Sequence, residues 1–287
     1  MQPNQITVPR GRFSVRDSGN TDGYPLVMLH GWPESSYCWE AVHPLLRNDL
    51  RIIAPDLRGL GESERTMEPS LYQKIELAKD IVEILDALEI RDFFILGHDW
   101  GGVVAQEVAL AVPDRVIKLV LMNIPVINNM NGNAEALEII RSRNCISLWY
   151  QHFQQQPALA EAMIRGNEEV WIRYFFGKAG RDGTISEDAL REYIRCYRIE
   201  NTPATGAFYY RAMRHDVKRW AGLAETRFSM SSLYIHGAND VVIIPAYLNH
   251  IENCFKTIDV ATIDAGHFVQ EEKPHAVAAL LNEFLIP

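Results

Sequence analysis

Cysteine is scarce in this sequence and poorly placed for cross-linking: Cys38, Cys145, Cys196 and Cys254 lie far apart, with no CxxC spacing. That excludes a disulfide scaffold and predicts free thiols in a reducing compartment. The opening residues MQPNQITVPR lack the apolar stretch of a signal peptide, so a cytoplasmic location is expected. No apolar run approaches the roughly 18 residues that a membrane span requires. Positive charge is also in short supply. Against 37 Asp and Glu there are 28 Lys and Arg, for a formal net charge of -9. With no dense basic run to offset that repulsion, nucleic-acid and membrane partners are excluded. Internal repeats and low-complexity segments are absent. What remains is 287 residues, 47% hydrophobic, enough for one large α/β domain or a core with an inserted lobe. Its expected partner is a small, mostly apolar molecule, and it is expected to be a monomer or homodimer.

Four short apolar runs, each ending in a turn-like or polar stretch, occupy the first half: PLVMLHG (25–31), RIIAPD (51–56), FFILGHD (93–99) and KLVLMN (118–123). Continuous apolar runs of this length read as strands buried on both faces of a parallel sheet. Between them, Leu77, Ile81, Ile84, Leu85 and Leu88 recur at helical spacing, and VVAQEVALAV predicts a second helix stopped by Pro113. Strand and helix in alternation predict an open, mostly parallel α/β sheet. From 128 to 216 the rhythm gives way to helical, aromatic-rich segments such as LWYQHF, VWIRYFF and GAFYYRAM. SSLYIHG (231–237) and TIDVATID (257–264) then resume the strand pattern, and HAVAALLNEFL closes the chain as a helix. The expected organisation is a core of residues 1–127 and 217–287, with 128–216 inserted as a helical cap.

One further residue type is missing where it would be expected. ILGHDWGG (95–102) has the glycine pattern of a GxSxG turn, which lifts one side chain above a sheet, but its centre is Asp99 instead of serine. An ordinary serine esterase is thereby disfavoured. Functional groups of open α/β sheets gather at the carboxyl ends of strands, and the candidates there are His30 to Pro33, Asp99, Asp240 and His267. Taken singly, Asp99 is also readable as a helix cap, Asp240 as a turn residue and His267 as a packed histidine. Together they stand at three strand ends in the chain order nucleophile, acid, histidine. A carboxylate at 99 can attack an electrophilic sp3 carbon and form an ester without prior deprotonation. His267 would then activate water against that ester, with Asp240 orienting the imidazole. The backbone N–H groups of Trp32 and Trp100 would hold the resulting oxyanion.

HGWP, GHDWGG, HGANDVVIIP and IDAGHFVQEEKP resemble the motifs of the α/β hydrolase fold family, and specifically of its epoxide hydrolase branch, across nearly the whole chain. DLRGLGES (56–63) is similar to a loop shared by many members of that fold. The resemblance implies an α/β hydrolase core with a lid, no metal or organic cofactor, and conversion of epoxides to vicinal diols. LWYQHFQQQPALAE and GAFYYRAM resemble the two lid segments that supply ring-opening tyrosines, which implies that role for Tyr150 and Tyr210. Tyr209 is about 100° around the same helix, so only one of the adjacent pair can face inward. His30, Pro33, Trp149 and Gln151 are expected to touch the substrate.

GHDWGG does not by itself separate epoxide hydrolases from haloalkane or haloacetate dehalogenases, which resemble this chain through the same aspartate. An opening epoxide needs an O–H donor, whereas a departing halide needs a cradle of N–H donors. Six of the eleven tyrosines lie within 128–216. Trp32 stands where the haloalkane enzymes usually carry Asn, and Tyr150 and Gln151 stand where the haloacetate enzymes typically carry His and Trp. A non-catalytic receptor built on the same fold has no need of an acid behind the histidine.

Overall fold

The computed structural model describes residues 1–181 and 183–286. Six parallel strands carry the apolar runs: β3 (Tyr24–Leu29), β4 (Leu50–Pro55), β5 (Phe93–His98), β6 (Val116–Met122), β7 (Phe228–Gly237) and β8 (Phe255–Ile263). Phe93 to Leu96 are wholly buried, as a strand covered on both faces must be. Two strands precede them, β1 (Pro3–Val8) and β2 (Gly11–Asp17), which pair as an antiparallel hairpin. In β2 apolar Phe13 and Val15 alternate with Arg12, Ser14 and Arg16, although Ser14 is buried as fully as they are. A search for continuous apolar runs passes over such a hairpin, because polar residues interrupt it at every second position. The sheet order is β1-β2-β4-β3-β5-β6-β7-β8, with β2 antiparallel to both neighbours and the later pairs parallel.

Helices α1 (Lys74–Ala87) and α2 (Trp100–Ala111) follow β4 and β5 and pack on each other. Between β6 and β7 lie α3 (Met130–Ser142), α4 (Trp149–Gln154), α5 (Leu159–Ile164), α6 (Glu168–Arg181), α7 (Glu187–Tyr197) and α8 (Thr202–Trp220). The insertion is therefore helical, but α8 does not end at 216. No glycine or proline interrupts Val217–Trp220, so the helix runs a further turn and delivers Val217 and Trp220 to the central cavity. α9 (Val269–Glu272) and α10 (Pro274–Phe284) complete the chain. All four thiols are unpaired. Among the described residues, no helix is long and apolar enough to cross a membrane.

Candidate active site

Asp99 sits on the sharp turn from β5 into α2 with φ 48° and ψ -129°, a conformation that costs an ordinary side chain roughly 1–3 kcal/mol. The turn closes because its neighbours have no Cβ. One on Gly97 would lie 2.3 Å from the Gly101 carbonyl oxygen, and one on Gly101 would lie 2.3 Å from that of Leu29. The carboxylate stands at the positive end of α2. Its Oδ1 accepts the Trp32 backbone N–H at 2.9 Å, and the Trp100 N–H also supports the charge. Oδ2 lies 3.6 Å from His267 Nε2. Burial pushes the Asp99 pKa up, but His267 and these donors outweigh it and hold the carboxyl below its ordinary value.

His267 Nδ1 meets Asp240 Oδ2 at 2.7 Å. Asp240 is buried yet fully engaged, accepting from Val242 N–H at 2.7 Å, Ile243 N–H at 3.0 Å and the Asn123 amide at 2.8 Å. Those contacts and the imidazole keep it ionised against the cost of desolvation. Burial alone would depress the basicity of His267. Two facing carboxylates reverse the sign and raise it well above normal, which favours the protonated ring between Asp240 and Asp99. The structure thus brings together Asp99, Asp240, His267 and the two backbone donors.

Tyr150 on α4 and Tyr210 on α8 face the same space as Asp99. Both are buried, with rings 5.6 Å apart, and both line a cavity of about 360 Å³ together with Asp99, Trp100 and Gln151. Burial and the nearby carboxylate raise both phenols above their ordinary range, so each keeps its proton. Tyr150 stacks on Trp32 at an interplanar angle of 4°. Tyr209 turns away and donates to the Arg58 carbonyl at 2.8 Å, which leaves Tyr210 as the inward member of the pair.

Three expected substrate contacts lie elsewhere. His30 is completely buried and lies outside the cavity wall. Its Nδ1–H donates to the Gly31 carbonyl and its Nε2 accepts the Leu57 N–H at 2.9 Å, so both nitrogens are used to hold two loops. Pro33 is buried after a cis Trp32–Pro33 bond and is also absent from that wall. Trp149 donates to the Tyr174 hydroxyl at 3.0 Å and lines a second cavity of about 640 Å³, which opens onto His267 from the far side of Tyr150. The segment match around Tyr150 did not reveal which face of α4 its neighbour would occupy.

Residues that the sequence did not single out stabilise the loop that carries His267. His98 Nε2–H donates to the His267 carbonyl at 2.9 Å, while its Nδ1 lies 2.9 Å from Glu34 Oε2. Gln270 donates to Glu34 Oε1 at 2.8 Å, and the Tyr193 hydroxyl on α7 donates to Glu271. Burial, reinforced by Glu34, pushes Glu271 up to about 8. The folded state therefore binds a proton that the unfolded chain releases near its ordinary 4.5. Stability from this group is fully present below that value and is lost as pH rises through about 8. Urea unfolding from about pH 5 to about pH 9 should show a loss of a few kcal/mol, at most about 1.4 kcal/mol per pH unit. Glu271→Gln should flatten that slope.

The alpha/beta hydrolase fold profile matches residues 24–274, and the chain belongs to that family. Within it, the relatives identify the epoxide hydrolase branch. The soluble epoxide hydrolase of Corynebacterium sp. (strain C12) is 31% identical over 271 residues, 92% of this chain and 91% of that one. Epoxide hydrolase A of Mycobacterium tuberculosis is 27% identical over 309 residues, 96% of this chain and 94% of that one. The solved epoxide hydrolase CorEH superimposes with a TM-score of 0.84 at 28% identity, covering 99% of this chain and 98% of the other.

Proposed function

We propose that this protein hydrolyses epoxides to vicinal diols through a covalent ester on Asp99, with the helical insertion acting as a cap that supplies two acids. The observation that carries this reading is that Asp99, whose Oδ2 lies 3.6 Å from His267 Nε2, lines one cavity with the two phenols Tyr150 and Tyr210.

Asp99 attacks a ring carbon, the C–O bond breaks, and the departing oxygen takes a proton from Tyr150 or Tyr210. Alkylation removes the charge of Asp99, so His267 loses one of the two carboxylates that hold its extra proton. That proton restores the tyrosine and leaves His267 neutral, and therefore a base. His267 then takes a proton from water while the hydroxide adds to the Asp99 carbonyl carbon. The Trp32 and Trp100 N–H groups hold the oxyanion. Collapse breaks the ester C–O bond, and the diol oxygen takes the proton of the re-formed carboxyl. The site returns to carboxylate, imidazolium and phenol, with one water consumed.

The cavity disfavours dehalogenation. No Lys or Arg is among the described residues that line it, so a haloacetate carboxylate finds no ammonium or guanidinium to contact there. The Trp32 indole N–H, a candidate halide donor, is engaged by the Tyr197 oxygen at 2.9 Å. The deciding experiment is intact mass spectrometry of His267→Gln after incubation with styrene oxide, an aliphatic epoxide, a haloalkane or fluoroacetate. The expected result is a stalled adduct equal to the whole epoxide mass, absent when Asp99→Asn is added. A gain equal to the halogenated substrate minus hydrogen halide would replace this reading with a dehalogenase.

A further inference from the structure

Lys74 is the first residue of α1, yet it is completely buried. Its ammonium contacts Asp216 Oδ2 at 3.0 Å and the Tyr209 carbonyl, both on α8, and lies 4.0 Å from the centroid of the Trp100 ring. Asp216 Oδ1 also accepts the Lys74 backbone N–H at 2.9 Å. This pair therefore joins the core to the helix bearing Tyr210, directly behind the residue that follows Asp99. Stability alone is a poor reason for it, because a buried ion pair is commonly no better than packed apolar groups. The charge sits one residue from the nucleophile, because Trp100, whose ring the ammonium faces, directly follows Asp99. Lys74, Trp100 and Asp99 are all buried, so solvent and salt screen the charge little.

The two half-reactions move charge at Asp99 in opposite directions. Alkylation removes a negative charge there, and ester hydrolysis restores it, first as an oxyanion and then as the carboxylate. A fixed cation behind Trp100 favours whichever step restores the charge. We propose, building on the covalent mechanism above, that Lys74 is a positioning residue whose buried ammonium, acting through Trp100, speeds hydrolysis of the Asp99 ester relative to its formation.

The test is single-turnover kinetics with styrene oxide, quenched and read by intact mass so that ester formation and loss are timed separately. Lys74→Met/Asp216→Asn removes both charges, and the Asn oxygen still accepts the backbone N–H of position 74. In this variant ester loss should slow about tenfold while ester formation is unchanged or faster, so the adduct persists longer within the single turnover. Lys74→Arg, which keeps the charge, should retain the wild-type ratio. A merely structural role would lower both steps together or neither, and an unchanged ratio in the double variant overturns the proposal. Should that variant lose its fold, Lys74→Gln/Asp216→Asn keeps a donor for the Tyr209 carbonyl and the Asn oxygen, and gives the same measurement with the same criterion. Absence of any adduct in His267→Gln would instead overturn the epoxide hydrolase reading itself, a result separable from a failed Lys74 effect.

Discussion

Asp99→Ala is expected to lower turnover by at least about four orders of magnitude while the protein remains folded. In the proposed mechanism Asp99 is the covalent nucleophile, so its loss removes the whole ester pathway, and in enzymes whose groups act as a unit such deletions cost about 10⁴- to 10⁶-fold. The turn itself is set by the absence of Cβ at Gly97 and Gly101 rather than by the carboxylate, so the backbone of β5 and α2 should persist. Electrostatics change alongside. His267 loses one of its two anionic neighbours, and its raised basicity should fall. Steady-state turnover, thermal melting and an NMR titration of the imidazole check all three points. Turnover within about a hundredfold of wild type would be incompatible with Asp99 as nucleophile.

The second large effect is expected from Tyr150→Phe and Tyr210→Phe. Each phenol is buried against the Asp99 cavity, and either can protonate the opening oxygen, so single variants should lose about 10- to 100-fold and the double variant about 10³- to 10⁴-fold. The loss should fall on alkylation alone. A preformed Asp99 ester should be hydrolysed at nearly the wild-type rate, because in the proposed mechanism that step uses His267, Asp240 and the backbone donors. The rings keep their edge and stacking contacts with Trp32, so melting temperature should change little. Epoxide turnover left intact in the double variant would exclude a tyrosine-assisted opening.

The parallel strands were legible because burial on both faces leaves a chemical signature in consecutive residues. Asp99, Asp240 and His267 were legible for a related reason: each ends such a strand, and their order along the chain is a local property. The β1–β2 hairpin escaped because polar residues such as Ser14 break up its apolar positions, even where they are buried. His30 was legible as a polar residue at a strand end, but not as one whose two nitrogens are taken by backbone groups of its own loop and of Leu57. Glu34, His98 and Gln270 carry no motif that announces their role, since what joins them is a contact across 236 residues in one case and 64 in another.

The sequence by itself determined the sheet, the helical insertion, the carboxylate at position 99 and its partners, because strand burial, glycine-enforced turns and residue chemistry are written in neighbouring positions. Tertiary structure decided which of Tyr209 and Tyr210 faces the cavity, which indole is already bonded, and that Lys74 lies against Trp100. Those outcomes depend on the rotation and contact of helices distant in the chain. A rotation of about 100° exchanges one residue for the next, and only the packed core selects between them.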